Sequence, residues 1–378
     1  MYFDFFVNGS VIALLLVFLL TRRMNKDKLK EKLFERGTAK IILVALWIIL
    51  TGAFVTSALL YPELERSHDI DDAVEAASEH FLDGGNPYKD DVVPRFSERY
   101  HGSDTTITNS TYNYQPLSLF TYSFFFVVLG PIGSLWFPLT NLLFGVLTIA
   151  ALSFTFPKLH KRYSIPVIGT ISIFFMFDNI MLTLLFLSLT FYFLVRSGSR
   201  YRFFFGLLFL FLGFFIKMIG MISLAVLIIY LFQRYRFRNR DVNLQIGAFI
   251  GTAFLIAVPS ILVFGIMNVA NSTVFYFSDV ALRSESSGYG GTILTLLLGS
   301  SPYFSLFTNT LLLSLIAGSL FIKDIYTRLF LPEALLPFIT IKASQALLVI
   351  PFYSLMILLI LDLYPDFETS GWRKEKRR

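Results

Sequence analysis

The chain has 378 residues, 55% of them hydrophobic, with 43 Phe, a mean hydropathy of +0.66 and a net charge of +6. That composition lies far from the average of soluble domains and excludes an ordinary water-dissolved globular enzyme. With no Cys, a disulfide framework and thiolate metal ligation are excluded as well; nucleic-acid binding is not expected, because the Lys and Arg sit in short loops between apolar runs.

Apolar windows such as 41–60, 135–156 and 246–267 are about the length that crosses a hydrocarbon core of about 30 Å. Their continuity predicts helices rather than alternating barrel strands. The first run, 5–20, follows Asp4 and is trailed by Arg22 and Arg23, the reverse of a cleavable signal, so it is expected to remain as a span. Six basic stretches (21–40, 157–163, 196–202, 233–241, 323–333 and the C-terminal tail) hold most of the 32 Lys and Arg and predict cytoplasmic edges.

For all six to share one side, the apolar stretch 117–130 must not cross; it is expected as a juxtamembrane or re-entrant helix on the outer face. The result is an all-α polytopic membrane protein of about eleven spans, N-terminus outside and C-terminus cytoplasmic. The spans are expected at roughly 5–20, 40–61, 133–156, 165–177, 180–195, 203–216, 218–232, 244–267, 303–322, 331–341 and 344–363. Residues 1–39 form an extra N-terminal span and basic loop ahead of a transmembrane domain over 40–378. Segments 62–116 and 268–300 become external loops, and the acceptor triplets at Asn109 and Asn271 both fall outside. Four spans between 165 and 232 are too short for a full bilayer, which predicts local thinning or a cavity open on one side.

The external loop 62–116 carries twelve acidic and four basic side chains. Within it, Ala73, Val74, Ala76, Ala77, Phe81 and Leu82 recur at spacings of three and four, predicting an amphipathic helix over 69–83. The pattern lays it on the outer membrane surface, apolar side down, with Gly84 and Gly85 ending it. Asp69 reads as its N-cap, and a carboxylate held there stays ionised and can also accept a substrate proton. Asp71, Glu75, Glu79 and Asp83 read as a solvated face; the carboxylates of Asp71 and Asp72 beside Asp69 could grip a divalent ion, yet no metal is expected.

The remaining charges at membrane depth fall at outer span ends: Asp178 beside Asn179, Lys217, and Lys342. Such groups are functional candidates by default, with snorkelling and helix capping as the plain alternatives. Lysines facing a cavity that also holds carboxylates suit a phosphate head group with a base nearby, and Arg283 could join them. Tyr88, Tyr100, Tyr112 and Tyr114 frame the first external loop, where tyrosines suit sugar faces and membrane interfaces alike.

The stretch HDIDDAVEAASEHFLDGGNPY followed by YNYQPLSLFTYSF resembles the first external loop of GT-C superfamily glycosyltransferases, especially polyprenyl-phosphate-mannose-dependent mannosyltransferases. The matching positions are Asp69, Ala76-Ala77, Gly84 or Gly85, Tyr88 and Tyr114-Gln115-Pro116. A later stretch, from Phe177-Asp178-Asn179 to Lys217, is similar to the family's Asn-bearing turn, basic loop and Lys-ending helix. The resemblance covers roughly residues 40 to 235. Ala73 stands where a Tyr is frequent, which leaves Asp71 and Asp72 open beside Asp69 as the counterpart of the family's aspartate.

What the resemblance implies is an inverting transfer of a hexose, mannose being the first candidate, from a polyprenyl-phosphate sugar to a lipid-linked or envelope glycan on the outer face. Asp69 is then the general base, and Lys217, Lys342 and Arg283 hold the donor phosphate. Asp72, Tyr88, Tyr114, Asp178 and Asn179 line the sugar or acceptor pocket, and no cofactor is required. Two readings compete: a transporter or lipid flippase with a charged cavity, and a scaffold whose acidic loop docks a partner; the lack of an internal repeat weighs against the first.

Overall fold

The computed structural model describes residues 69–96, 107–155, 180–197, 199–217, 220–235, 238–273, 304–322, 325–329 and 331–332. Its elements run α1 (Asp69–Leu82), β1 (Val93–Phe96), β2 (Ile107–Ser110), α2 (Pro116–Leu129), a 3-10 segment (Gly130–Leu135) and α3 (Trp136–Thr155). They continue with α4 (Ile180–Phe191), which ends in a π turn at Tyr192–Arg196, then α5 (Arg202–Lys217), α6 (Met221–Tyr235), α7 (Arg240–Phe264), α8 (Ile266–Thr273) and α9 (Phe304–Ser319). The described residues are overwhelmingly helical, as a chain that must satisfy its backbone in lipid has to be. Against the all-α expectation there is one small addition, a two-stranded antiparallel ladder that sets Val93 opposite Ser110 and Phe96 opposite Ile107.

Among the described residues, three stretches, Pro116–Gly133, Trp136–Thr155 and Arg240–Phe264, are long and apolar enough to cross a membrane. Ile180–Val195, Met221–Tyr235 and Thr310–Ser319 are shorter apolar helices. The spans expected at 5–20, 40–61, 165–177 and 344–363, and nearly all of 331–341, lie outside the described residues.

Antiparallel pairing of α4 with α5 forms the centre of the bundle. Phe193 stacks on Phe205 with centroids 4.5 Å apart, and Phe186 on Phe209 at 6.0 Å. Gly206 permits the close approach: a Cβ there would lie 2.7 Å from Leu194 Cδ2. Helix α3 runs parallel to α4, since Phe154 near its end meets Tyr192 near the end of α4 at 6.5 Å. A turn at Gly220, whose φ of 90° favours glycine, sends α6 back along α5, and Tyr235 meets Phe203 at 5.9 Å. Helix α7 starts beside the start of α5, where the Phe203 and Phe204 N–H groups donate to Gln245 Oε1 at 3.1 and 3.2 Å. The Asn239 side chain caps α7 by accepting from the N–H groups of Asp241 and Val242. Phe254, Leu255 and Leu262 of α7 are exposed, an apolar stripe suited to hydrocarbon.

These directions fix two ends. One gathers the start of α3 and the ends of α5 and α7; the other gathers the starts of α5 and α7. Helix α2 begins at the first of them, where the Gln115 N–H donates to the Ile216 carbonyl at 3.2 Å. It also finishes there, because the 3-10 segment, turned at Gly133 (φ 69°), leads straight into Trp136. Helix α2 therefore lies across the bundle end, held by the Tyr122 hydroxyl donating to Asn141 Oδ1 at 2.6 Å and by ring contact with Phe137 at 5.0 Å.

Helix α1 rests on α2 in the opposite direction. Phe81, near its end, meets Phe120 at 5.6 Å, while Glu75, earlier in α1, accepts from Trp136 Nε1 at 3.1 Å beyond the far end of α2. Ala73, Val74 and Ala77 are buried. The apolar side of α1 thus faces protein, where amphipathicity alone lays it on lipid; a helical period shows that a face is covered, not by what.

Candidate functional site

The richest side-chain network described lies in the cap at the first end. Phe264, the last residue of α7, is 1% exposed and meets Phe81 at 5.5 Å, Tyr88 at 4.8 Å and Phe120 at 5.5 Å. Its carbonyl accepts from Asn86 Nδ2 at 3.0 Å, and Asn86 Oδ1 accepts from the Tyr88 N–H at 3.1 Å. Asn86 and Phe264 together tie the segment that follows α1 to the bundle. Helix α8 adds a strut, the Ser272 hydroxyl donating to the Tyr88 carbonyl at 3.0 Å.

Three tyrosines form a chain over this hub. Tyr88 meets Tyr112 edge-on at 5.7 Å, Tyr112 meets Tyr114 at 5.4 Å, and the Tyr88 hydroxyl donates to the Tyr114 carbonyl at 2.9 Å. Burial raises the pKa of both Tyr88 and Tyr112 well above the ordinary phenol value, so both stay neutral and serve as packing and hydrogen-bonding groups. Tyr114 is half-buried and carries the Lys217 ammonium 5.5 Å from its ring centroid. The Gln115 N–H bond to Ile216 fixes that encounter, because it joins the residue after Tyr114 to the residue before Lys217.

His80 and Asp90 form a clasp beneath the loop. His80 Nε2–H donates to Asp90 Oδ2 at 2.8 Å, and the same oxygen accepts from the Asn86 N–H at 3.2 Å. These two bonds hold the Asp90 carboxyl below its usual value, His80 contributing most. Gly85 leaves room for the clasp, since a Cβ there would meet the His80 ring and force it to shift.

Of the residues singled out from the sequence, Tyr88, Tyr114 and Lys217 are brought together. Tyr88 is 2% exposed with its hydroxyl committed to backbone, so it positions Tyr114 where a sugar-facing surface was expected. Asp69 is the first residue of α1, one place inside the N-cap position expected for it, and shares the first turn with Asp71 and Asp72; Asp72 is exposed. The direction of α1 sets this turn at the end remote from Phe81, about 18 Å along the axis. The course of α1 therefore does not bring its first turn beside Lys217, although both belong to the same end of the bundle. Asp178, Asn179, Arg283 and Lys342 lie outside the described residues.

Sequence reasoning passed over Asn86, Phe264 and the His80–Asp90 clasp, and named Gln115 only within the Tyr114-Gln115-Pro116 element. Asn86 alone carried a signal, as an Asn-Pro pair that favours a turn held by its own side chain. Among the described residues no group of three His, Asp or Glu side chains is arranged to hold a metal ion. Comparison with protein-family models, curated proteins and solved structures gives no match.

Proposed function

We propose that the protein is a membrane glycosyltransferase of GT-C type. It transfers a hexose, mannose first among the candidates, from a polyprenyl-phosphate sugar to a lipid-linked or envelope glycan, with the cap on the outer membrane face and the C-terminus cytoplasmic. The observation that carries this reading is the Lys217 ammonium held on the Tyr114 ring at the bundle end that also bears the acidic helix α1. A cation at the edge of a greasy bundle, beside aromatic surface, suits a ligand with a prenyl chain, a phosphate and a sugar.

In the proposed reaction the acceptor hydroxyl oxygen attacks the anomeric carbon from the face opposite the phosphate. The carbon–oxygen bond to phosphate breaks, its electron pair leaving with the prenyl phosphate, and the hydroxyl proton passes to the Asp69 carboxylate. Lys217, with Lys342 and Arg283, offsets the charge on the departing phosphate, while Asp72, Tyr114, Asp178 and Asn179 contact sugar or acceptor. The mechanism makes a geometric demand, because base and phosphate must flank one anomeric carbon. The first turn of α1 has to approach Lys217 when donor binds.

The test is transfer of radiolabelled hexose from a synthetic prenyl-phosphate donor to endogenous lipid-linked acceptors by purified protein in nanodiscs. Label in the acceptor fraction, lost in Asp69→Asn, is the expected result. Protein that transfers nothing but exchanges labelled prenyl phosphate across proteoliposomes would be a flippase, and the glycosyltransferase reading would fall.

A further inference from the structure

Gln115 is 5% exposed, and its enclosed Nε2 amide has no hydrogen-bond partner among the described residues. Buried amide donors seldom go unpaired in folded proteins, so an orphan of this kind calls for an explanation. Gln115 is the N-cap residue of α2, and its side chain accepts nothing from the first turn, which opens with Pro116, a residue without an N–H. The start of α2 thus keeps the positive end of its dipole without a side-chain acceptor. The carbonyl end of α5 lies alongside, where the Ile216 oxygen accepts the Gln115 N–H and the Lys217 ammonium in the last turn offsets the negative end of the α5 dipole. Lys217, the next residue, adds a full positive charge over Tyr114.

A lysine in the last turn of a helix also complements that helix's own dipole, which accounts for Lys217 by itself. It does not account for the amide. We infer that the start of α2, the Gln115 carboxamide and the Lys217 ammonium together bind a phosphate ester, with Gln115 donating from Nε2 to a phosphate oxygen. The inference rests on the glycosyltransferase reading and deepens it, since it names the second half of the donor-phosphate site. Three rotatable bonds let the amide swing out of its closed position while the backbone stays pinned to Ile216. Neutral at every pH of interest, the amide adds a directed donor without a second charge to desolvate.

The probes are farnesyl phosphate, farnesol and inorganic phosphate, titrated calorimetrically into full-length protein in phosphatidylcholine nanodiscs. Gln115→Leu is expected to weaken farnesyl phosphate about tenfold, the worth of a hydrogen bond to a charged group, while farnesol binding stays as it was. Gln115→Glu, nearly isosteric and negative, should weaken it further. The melting temperature of Gln115→Leu should not fall, because the orphan donor is removed; if that variant does not fold, Gln115→Met with the same titration takes its place. Inorganic phosphate that binds and depends on Gln115 would assign the site to free phosphate, and binding confined to farnesyl phosphate would assign it to the lipid. Equal affinity of wild type and Gln115→Leu for both phosphates would overturn the inference, even in a protein that transfers hexose. Conversely, Gln115-dependent phosphate binding without any hexose transfer would leave the anion site standing and remove the glycosyltransferase.

Discussion

The two ends of the bundle are built differently. At the end that gathers Lys217 and Phe264, aromatic rings interlock across α1, α2, α7 and the loop, and side chains from distant segments bond to one another's backbone. At the other end the described ties include the Gln245 bonds to the start of α5 and an exposed Arg200–Asp241 pair. An exposed ion pair contributes about 0–1 kcal/mol, so it positions little. One end fixes specific side chains at specific places, and the other only joins helices. Chemistry needs the former, which is why the proposed site belongs to the cap.

The largest expected effect breaks that contrast directly. On the proposed reading Asp69→Asn lowers hexose transfer by about a hundredfold to ten-thousandfold, the range for loss of a general base, while Arg200→Ala at the opposite end leaves transfer unchanged. Equal losses in both would mean that the variants report stability rather than catalysis. The absence of Cys makes a sharper version possible, since cysteines placed at positions 76 and 214, on the helices that carry Asp69 and Lys217, can bear spin labels without background and leave both residues intact. Pulsed electron resonance should show the labels drawing closer when a prenyl-phosphate sugar analogue binds; an unchanged distance would remove Asp69 as the base and turn attention to another carboxylate of the cap.

Next in size is Phe264→Ala. Emptying a fully enclosed aromatic site costs about 3–5 kcal/mol, and here the loss falls where α1, α2 and the Tyr88 loop converge. Leu262→Ala, two residues earlier on the exposed side of the same helix, should change stability by no more than about 0.5 kcal/mol. Thermal unfolding in nanodiscs compares the two, and similar shifts would mean that Phe264 is not the hub its contacts indicate. Tyr88→Phe comes after: it deletes the hydroxyl bond to the Tyr114 carbonyl, worth about 1 kcal/mol, and should raise the KM for donor more than it lowers kcat, because Tyr114 loses its support.

The same contrast separates what the sequence makes legible from what it hides. Apolar runs announced α3 and α7, because a helix facing lipid must be apolar over its whole length. The start and end of α1 were legible from acidic residues, a three-and-four spacing and paired glycines, all of them local. The ladder of β1 with β2 was missed, since short strands separated by a loop leave little periodicity among charged neighbours. Phe264 looks like any of the chain's 43 phenylalanines, and Asn86, one of the partners that make it a hub, stands 178 positions earlier in the chain. Gln115 was legible only as the middle of the Tyr114-Gln115-Pro116 element; that its amide lacks a partner is a property of the folded state alone. Tyr114 and Lys217 were each legible as candidates, yet their meeting depends on α5 ending where α2 begins.

The smallest effect tests how firmly the cap is latched. Asp90 is held below the usual carboxylate range, chiefly by His80 and then by the Asn86 N–H, so folded protein binds its proton less readily than unfolded chain. A depressed carboxylate contributes stability that is fully present above its unfolded value, 3.8, and lost as pH falls through the lower folded one. Between neutral pH and about 4 the clasp should therefore stay closed on the Asp90 side, and below that it should open locally. Backbone hydrogen exchange of residues 80–90, corrected for the intrinsic pH dependence, should show protection dropping in that acid window. Asp90→Asn should flatten the response without moving the melting temperature much, because both partners are partly exposed and water screens them. A steep loss of protection at mildly acidic pH in the Asn variant would place the latch elsewhere in the cap.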